Sequence, residues 1–426
     1  MLIGAVADDI TGATDLCLML NRSGLRTVQV MGIPHAKATL PDADAVVIAL
    51  KSRTIPADAA VTMSVAAAKA LMVGGAAQIL FKYCSTFDST DAGNIGPVTE
   101  ALMDLTGVNL TIACPAFPAN GRTVYQGHLF VGDQLLSDSP MKDHPLTPMR
   151  DANLVRVLGR QTSLRVGLVG VDALRGGVQG VRAAFAAAHA AGHRILITDA
   201  LTDADLMLLG AACADMKLVT GGSGIAMGLA QNFVAGGRVK AGSLPSTMPA
   251  PAGRSVVLAG SCSAATLGQI AAARAAGLPV LMLDSRVLAS GRQTAAQIAD
   301  WAIAQSGSLP PVIASSADPG ALADIQAHLG REASGALVEQ TLASVAILLQ
   351  ATGFSRFLIA GGETSGAVVA ALGVHSLQIG PEIDPGVPWT RCIDGPDLAL
   401  ALKSGNFGAP DFFVRAWSLL TTGAAG

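Results

Sequence analysis

Short apolar runs alternate with alanine-rich stretches along almost the whole chain, and that rhythm constrains the fold more than any other feature. Runs at 45–50, 78–82, 110–113, 166–169, 194–198 and 217–220 are rich in β-branched residues or leucine, as strands are. Segments such as 56–73 and 177–191 lie between them and read as helices. Alternation of this kind builds βαβ units, with right-handed crossovers, around mostly parallel sheets. Hydrophobic residues fill 51% of the 426 positions and charged ones 14%. That is enough apolar surface for large buried cores rather than disorder.

Residues 236–254 break the rhythm. They read GGRVKAGSLPSTMPAPAGR, rich in Gly, Pro and Ser, with no helical or strand period. This is a linker signature. Strand-like runs resume at 255–260, 280–283, 311–314 and 356–360. The sequence therefore predicts an α/β protein of two domains, 1–240 and 255–426, joined by a linker at 241–254. Each domain is expected to hold a mostly parallel sheet flanked by helices, with a ligand cleft between them. An irregular stretch at 115–150 sits inside the first domain; segments of that length are usually functional or hide hairpins. Residues 421–426 are expected to fray.

Charge and cysteine usage exclude several classes. With 28 Lys and Arg against 31 Asp and Glu, the net charge is −3. Nothing electrostatic draws such a chain to nucleic acid or to an anionic membrane. Apolar stretches are punctuated too often for a membrane span, and the amino terminus lacks the basic start of a signal peptide. Six cysteines, at 17, 84, 114, 213, 262 and 392, form no CxxC pair and no zinc spacing. The expectation is a soluble, cytoplasmic protein acting on small molecules, with a homo-oligomer allowed but not indicated.

The first strand-to-helix junction carries the strongest chemical signal. An apolar run at 2–7 ends in Asp8 and Asp9. After Thr11 and Gly12, the residues Ala13, Leu16, Cys17 and Leu20 fall on one helix face, and Gly24 is placed to stop the helix. Both carboxylates lie where open α/β sheets bind ligands. A helix cap explains one aspartate; two argue for a site. Lys51, Ser52 and Arg53 follow another strand and offer cations to an anion, although exposed cations often only solvate a surface. Lys82 ends a third strand and leads into Asp88, Ser89, Thr90 and Asn94. That set suits a polyhydroxylated anion, or a capped loop. Gly222 and Ser223, within Gly221–Gly224, supply an amide nest. Arg122 and His128, in the irregular stretch, are weaker candidates.

In the second half, Gly361, Gly362, Glu363 and Thr364 follow a strand-like run and open a helical pattern that stops at Gly373. Paired glycines there can turn amides toward an anion, and the helix start adds partial positive charge. Phosphate binding is the natural reading; packing is the alternative. Residues 260–263 repeat the design, and Ser261 serves there either as a cap or as a donor to phosphate or ribose. KSGNFG at 403–408 reads, on its own, as a tight turn. No GxxxxGK[ST] occurs. The nearest approach to GxGxxG, at Gly222 and Gly224, has Met227 in the third position, which weakens a dinucleotide reading.

Several segments together resemble the four-carbon acid sugar kinase family over nearly the whole chain. They are ADDITGATD at 7–15, KYCSTFDSTDAGNIG at 82–96, CPAFPANGRTVYQ at 114–126, GHLFVGDQLLSDS and HPLTPM within 127–149, and KSGNFG. The stretch 82–149 most resembles the 3-oxo-tetronate 4-kinase subfamily. Kinases of that family acting on threonate or erythronate resemble another version of the loop, with arginine where Ala92 stands here, so an oxo-tetronate fits better. The resemblance implies an amino-terminal substrate domain and a carboxyl-terminal nucleotide domain. It also implies ATP contacts at Ser261, Gly361, Gly362, Glu363, Thr364 and Gly405. Residues 380–389 resemble a further family motif whose role is not specified.

The expected reaction is transfer of the γ-phosphoryl of ATP to the C4 hydroxyl of a 3-oxo-tetronate. Mg²⁺ is expected with the nucleotide, because phosphoryl transfer depends on charge neutralisation. Asp8 or Asp9 would accept the hydroxyl proton or help hold Mg²⁺, and Arg53 or Lys82 would hold the substrate carboxylate. A D-threonate or D-erythronate 4-kinase is the alternative within the family. A nicotinamide-dependent hydroxy-acid dehydrogenase and a non-catalytic sugar-acid sensor are the alternatives outside it.

Overall fold

Runs of Val, Ile, Leu and Ala too short for stable helices become strands, and the alanine-rich segments between them become helices that cover the sheets. A computed structural model describes residues 1–35, 39–144, 146–240, 244–315 and 331–422. The chain divides into two units, Met1–Ser243 and Leu244–Gly426. Unit 1 contains β1 (Ile3–Ala7), β2 (Thr27–Met31), β3 (Ala45–Ala49), β4 (Gln78–Lys82), β5 (Thr111–Cys114), β6 (Arg122–Tyr125), β7 (His128–Val131), β8 (Gln134–Leu135), β9 (Val166–Val169), β10 (Ile195–Thr198) and β11 (Leu218–Gly221). Eight of these strands form parallel pairs in the order β2-β3-β1-β4-β11-β5-β10-β9. β1 and β3 are buried along their whole length, as continuous apolar runs in parallel sheets are.

Of the two readings of 115–150, the hidden hairpin is observed. β6, β7 and β8 form an antiparallel meander. Its first turn is the two-residue loop Gln126-Gly127, with φ of 48° and 72°. Positive φ at both positions matches the right-handed twist of the flanking strands. Asp199, just after β10, clamps this turn by accepting from the amides of Gln126 (2.8 Å), Gly127 (2.9 Å) and Val171 (3.1 Å). Pro145, within the HPLTPM segment, lies outside the described residues.

Unit 2 contains β12 (Met248–Ala250), β13 (Arg254–Ala259), β14 (Val280–Met282), β15 (Val312–Ala314), β16 (Phe354–Ala360), β17 (Ser376–Asp384), β18 (Val387–Cys392), β19 (Ala399–Lys403) and β20 (Leu420–Thr422). The order is β14-β15-β13-β16-β19-β18-β17, parallel as far as β19. β18 runs antiparallel to both β19 and β17. The family motif at 380–389 is therefore a hairpin, turning at Gly386 with φ 81°. Trp389 is fully buried in the core of this unit. Its indole N–H donates to the Ala416 carbonyl at 2.8 Å, and its ring lies 5.3 Å from that of Trp417.

Two sequence expectations need correction. The segment 241–254 is not structureless throughout, because Met248–Ala250 pairs in parallel with Leu420–Thr422. The same pairing holds Thr421 and Thr422, which were expected to fray. Each short strand supplies backbone partners that the other lacks, and Pro249 is tolerated because such an edge needs few donors. Residues 241–243 of the expected linker and 423–426 of the expected frayed end lie outside the described residues. Among the described residues, no helix is long and apolar enough to cross a membrane, and all six cysteines are free.

Each sheet is wound outward from its first long strand. In unit 1 the chain leaves β1 toward β2 and β3 on one side and β4 on the other. In unit 2 it leaves β13 toward β15 and β14 on one side and β16 on the other. Such reversals open a crevice at the carboxyl ends of the strands. The residues singled out from the sequence are concentrated at these ends.

Candidate active site

β1 stops where Asp8 and Asp9 replace its apolar run, and the helix Ile10–Arg22 begins at once. Asp9 is its N-cap. The Asp9 carboxylate accepts from the Gly12 amide at 3.1 Å and from the Thr11 hydroxyl at 2.8 Å. Asp8 is held differently. Arg53, from the loop after β3, meets it with a two-pronged fork: Nε donates to Oδ2 and Nη2 to Oδ1, both at 2.8 Å. The same Nη2 donates to Asp9, and Lys82 Nζ lies 3.3 Å from that Asp9 oxygen. Nη1 of Arg53 lies 3.7 Å from Asp88. Sheet register explains the convergence, since Ala7 pairs with Ala49 on one side and with Lys82 on the other. A Cβ on Gly12 would fall 1.7 Å from Lys82 Nζ, so only glycine leaves room for the ammonium over the first helical turn.

Charge is distributed unevenly here. Burial works against ionisation of Asp9, but Arg53, Lys82 and the Thr11 and Gly12 hydrogen bonds outweigh it and hold Asp9 well below the usual carboxylate range. Burial pushes Asp8 upward, against the pull of Arg53. For Lys82, burial is outweighed by Asp9 and Asp8, and its pKa is raised. The side chain of Asp9 is 22% exposed and that of Asp8 only 4%. Of the pair, Asp9 is the one a ligand can reach.

The loop after β4 frames this cluster. Asn94 donates from Nδ2 to the carbonyls of Ser52 (2.7 Å) and Arg53 (3.1 Å), which fixes the backbone carrying the guanidinium. Phe87 and Asp88 have φ of 65° and 39°, a strained turn, and the Thr86 hydroxyl donates to Asp88 at 2.7 Å. Ser89 and Thr90 are held by Gln161, whose Nε2 donates to the Ser89 hydroxyl (2.9 Å) and the Thr90 carbonyl (2.6 Å). Gly222 and Ser223 follow β11, the neighbour of β4, and the buried Ser223 hydroxyl faces the Asp15 carboxyl. Lys51 is exposed. Arg122 donates to the Asn120 carbonyl, and His128 bonds to the Gln126 carbonyl and to Asn153; among the described residues neither pairs with Asp8 or Asp9. Asp91, beside Ala92, pairs with Arg160 at 2.6 Å.

Sequence reasoning passed over two residues here. Gln161 gave no signal, since nothing in its neighbourhood marks a glutamine that reaches back some seventy positions. Asp15 stood in the ADDITGATD motif but was read only as part of a helix. It is buried, and burial pushes its pKa up to about 6 against the pull of Lys82 and of the Ser223 hydroxyl.

In unit 2, three strand ends converge. After β13, Ser263 caps the helix Ala264–Ala275, accepting from the Thr266 amide at 3.2 Å. The cap is therefore not Ser261, whose hydroxyl accepts from the Ser263 amide at 3.3 Å. After β16, Gly361 takes φ 124°, a conformation L side chains rarely adopt, and the helix Gly362–Ala371 starts. Gly362 and Glu363 are exposed, and Thr364 is buried. A Cβ on Gly260 would meet the Thr364 hydroxyl at 2.2 Å, one on Gly361 the Ser261 amide at 3.3 Å, and one on Gly405 the Ser261 hydroxyl at 2.3 Å. Ser261, Gly361, Thr364 and Gly405 thus line one locus of amides and hydroxyls.

Comparison with known proteins bears on both units. Residues 3–229 match the family described as sugar-binding N-terminal domain, and 256–413 match nucleotide-binding C-terminal domain. Proteins named 3-oxo-tetronate kinase are 56% identical in Burkholderia multivorans (97% of this chain, 96% of that one) and 54% identical in Pseudomonas fluorescens (100% and 98%). The chain belongs to the four-carbon acid sugar kinase family. Among solved structures, a Salmonella typhimurium LT2 protein described as a tRNA synthase superposes with a TM-score of 0.87 at 43% identity, covering 98% of this chain and 99% of that one. A curated relative from the same strain, 44% identical over 97% of this chain, is named 3-oxo-tetronate kinase. A Haemophilus influenzae protein superposes at 0.78 with 42% identity, over 98% and 100% of the two chains. Membership of this kinase family gives a chemical context to the acidic cluster of unit 1 and the loops of unit 2.

Proposed function

We propose that this chain is an ATP-dependent kinase that phosphorylates the C4 hydroxyl of a 3-oxo-tetronate. The observation that carries the reading is its 50–56% identity, over nearly its full length, to five relatives bearing that kinase name. The C4 oxygen bonds to the γ-phosphorus, the bond from that phosphorus to the β–γ bridging oxygen breaks, and ADP leaves. The hydroxyl proton passes to a carboxylate.

Asp9 is the better candidate for that carboxylate. It stays ionised, it is partly exposed, and Arg53, Lys82 and Thr11 fix its orientation. Asp8 is buried with both oxygens in the Arg53 fork, so its role is to anchor Arg53. Transfer of this kind relies on positioning and charge more than on strong base catalysis, which a low-pKa carboxylate can serve. Ser261, the 361–364 turn and Gly405 are proposed to receive the nucleotide, and the loop from Lys82 to Asn94, with Gly222 and Ser223, to face the acid sugar. Arg122, which donates to the Asn120 carbonyl, is proposed as a further contact to the acid sugar.

The donors of unit 1 do not fit a resident metal site. Both oxygens of Asp8 and one of Asp9 are engaged by cations, the other Asp9 oxygen accepts from Thr11 and Gly12, and no group of three His, Cys, Asp or Glu suited to a metal occurs among the described residues. Mg²⁺ is proposed to arrive on the nucleotide phosphates, a mode that needs few protein carboxylates.

The test is ATP consumption by the purified protein with Mg²⁺ and 3-oxo-tetronate, D-threonate, L-threonate or D-erythronate. Turnover with the oxo acid alone is expected. Turnover with a plain tetronate would move the chain to the other branch of the family, and turnover with none would remove the kinase reading.

A further inference from the structure

Lys403 ends β19 and is completely buried. Its Nζ donates to the Thr266 hydroxyl (3.1 Å), the Ser404 carbonyl (3.0 Å) and the Gly405 carbonyl (2.9 Å). An ammonium has three donors, so its hydrogen bonds are complete while its charge has no counter-ion among the described residues. The elements packed around it bring no carboxylate to it among the described residues. Beside it, β16 ends in Ala360, and Gly361 donates its amide to the Lys403 carbonyl. Arg356 on β16 and Arg391 on β18 both register with Ala399, at the far end of β19. The helix Ala264–Ala275 presents Thr266, and its charged residue, Arg274, lies in the last turn. Glu363 is exposed on the first turn of Gly362–Ala371. Burial pushes Lys403 down to about 7.

The carbonyls it gathers have a second consequence. The peptide bonds are trans, so each C=O and the N–H of the next residue point in opposite directions. Drawing the Ser404 and Gly405 carbonyls toward Nζ turns the amides of Gly405 and Asn406 away from it. Neither amide donates to a backbone acceptor among the described residues. The Gly405 carbonyl is gripped a second time by the Ser263 hydroxyl and a third by that of Thr266 (3.0 Å). The turn therefore cannot rotate without losing several bonds.

We infer that Lys403 is a positioning residue for the nucleotide phosphates: it locks the Ser404–Gly405 turn with its amides outward, and a bound phosphate supplies the counter-ion that its buried ammonium lacks. This rests on the reading that unit 2 binds ATP. Nucleotide binding then favours the charged lysine, and binding above neutral pH takes up a proton.

The test is calorimetric titration of the full chain with Mg·ADP at pH 7 and pH 8, each in two buffers of different ionisation heat. The wild type is expected to take up close to one proton at pH 8, with affinity falling up to about tenfold per pH unit above 7. Lys403→Met, of similar shape, is expected to bind at least tenfold more weakly at pH 7 and to take up no proton. If the wild type does not bind Mg·ADP, the nucleotide reading of unit 2 fails. If it binds without proton uptake, or if uptake persists in Lys403→Met, the role of Lys403 fails while the nucleotide reading stands. The wild-type measurement decides even if the variant does not fold.

Discussion

The ends of β1, β3 and β4 in unit 1 carry Asp8, Asp9, Arg53 and Lys82, bound to one another at distances of 3.3 Å or less. The ends of β13, β16 and β19 in unit 2 carry Ser261, Ser263, Gly361, Thr364 and Gly405, with Lys403 beneath them. The strand order reverses in the same way at both places, yet one junction is filled with paired charges and the other with neutral groups around a cation that meets no carboxylate among the described residues. A crevice at strand ends is supplied by topology; what it can bind is decided by the few residues that follow each strand. A charge-dense junction can orient a hydroxyl and hold a proton acceptor ionised. A junction of amides and hydroxyls can follow the outline of a polyphosphate.

The largest effect is expected from Asp9→Asn. Asparagine caps helices as well as aspartate does, so the fold should persist while turnover falls about 100- to 10,000-fold, the usual worth of a positioned acid–base group. Affinity for Mg·ADP should stay within about twofold. A parallel loss of nucleotide affinity would mean that the two junctions do not divide the work. Next is Arg53→Met, which leaves Asp8 buried without its fork. Breaking one side of a buried pair costs about 3–5 kcal/mol, read as a lower denaturant midpoint for unit 1. An unchanged midpoint would show that the cluster contributes nothing to stability.

Gly361→Ala probes the other junction. It forces a side chain onto φ 124°, a strain of about 1–3 kcal/mol. The outcome to look for is a raised KM for ATP with little change in KM for the acid sugar. Equal rises in both would blur the contrast. The smallest change is expected from Asp15→Asn. The carboxyl of Asp15 titrates near 6 in the folded chain and near 3.8 unfolded. Ionising it therefore lowers stability, fully above about pH 6 and not at all below about pH 3.8. The asparagine variant should be more stable by about 1–3 kcal/mol at pH 7, with the gain gone by pH 4. A gain independent of pH would mean that packing, rather than charge, is responsible.

Much of the scaffold was legible because parallel strands buried on both faces leave continuous apolar runs. The run at 78–82 is β4, 166–169 is β9, and 45–50 overruns β3 by a single residue. What escaped was structure set by partners distant in sequence. Met248–Ala250 is a strand because Leu420–Thr422 lies beside it, and its own GSLPSTMPAP context says loop. The helix start at Asp9 was readable because capping is local, whereas the Ser263 cap was obscured by Ser261 two positions earlier. In the site, Asp8, Asp9, Arg53 and Lys82 announced themselves as charges after strands. Gln161, Asp15 and Lys403 did not, because their significance lies in what surrounds them: a loop to brace, a carboxyl shut away from water, an ammonium without an anion among the described residues.

Trp389 has a practical bearing of its own. The chain's three tryptophans, at 301, 389 and 417, all belong to unit 2, whereas unit 1 has only the tyrosines at 83 and 125. Indole emission therefore reports on the nucleotide half alone, and a denaturation followed by fluorescence is blind to the half that holds the aspartates. Set beside far-ultraviolet circular dichroism of the same sample, it gives an optical means, with no label added, of telling which half of the enzyme melts first.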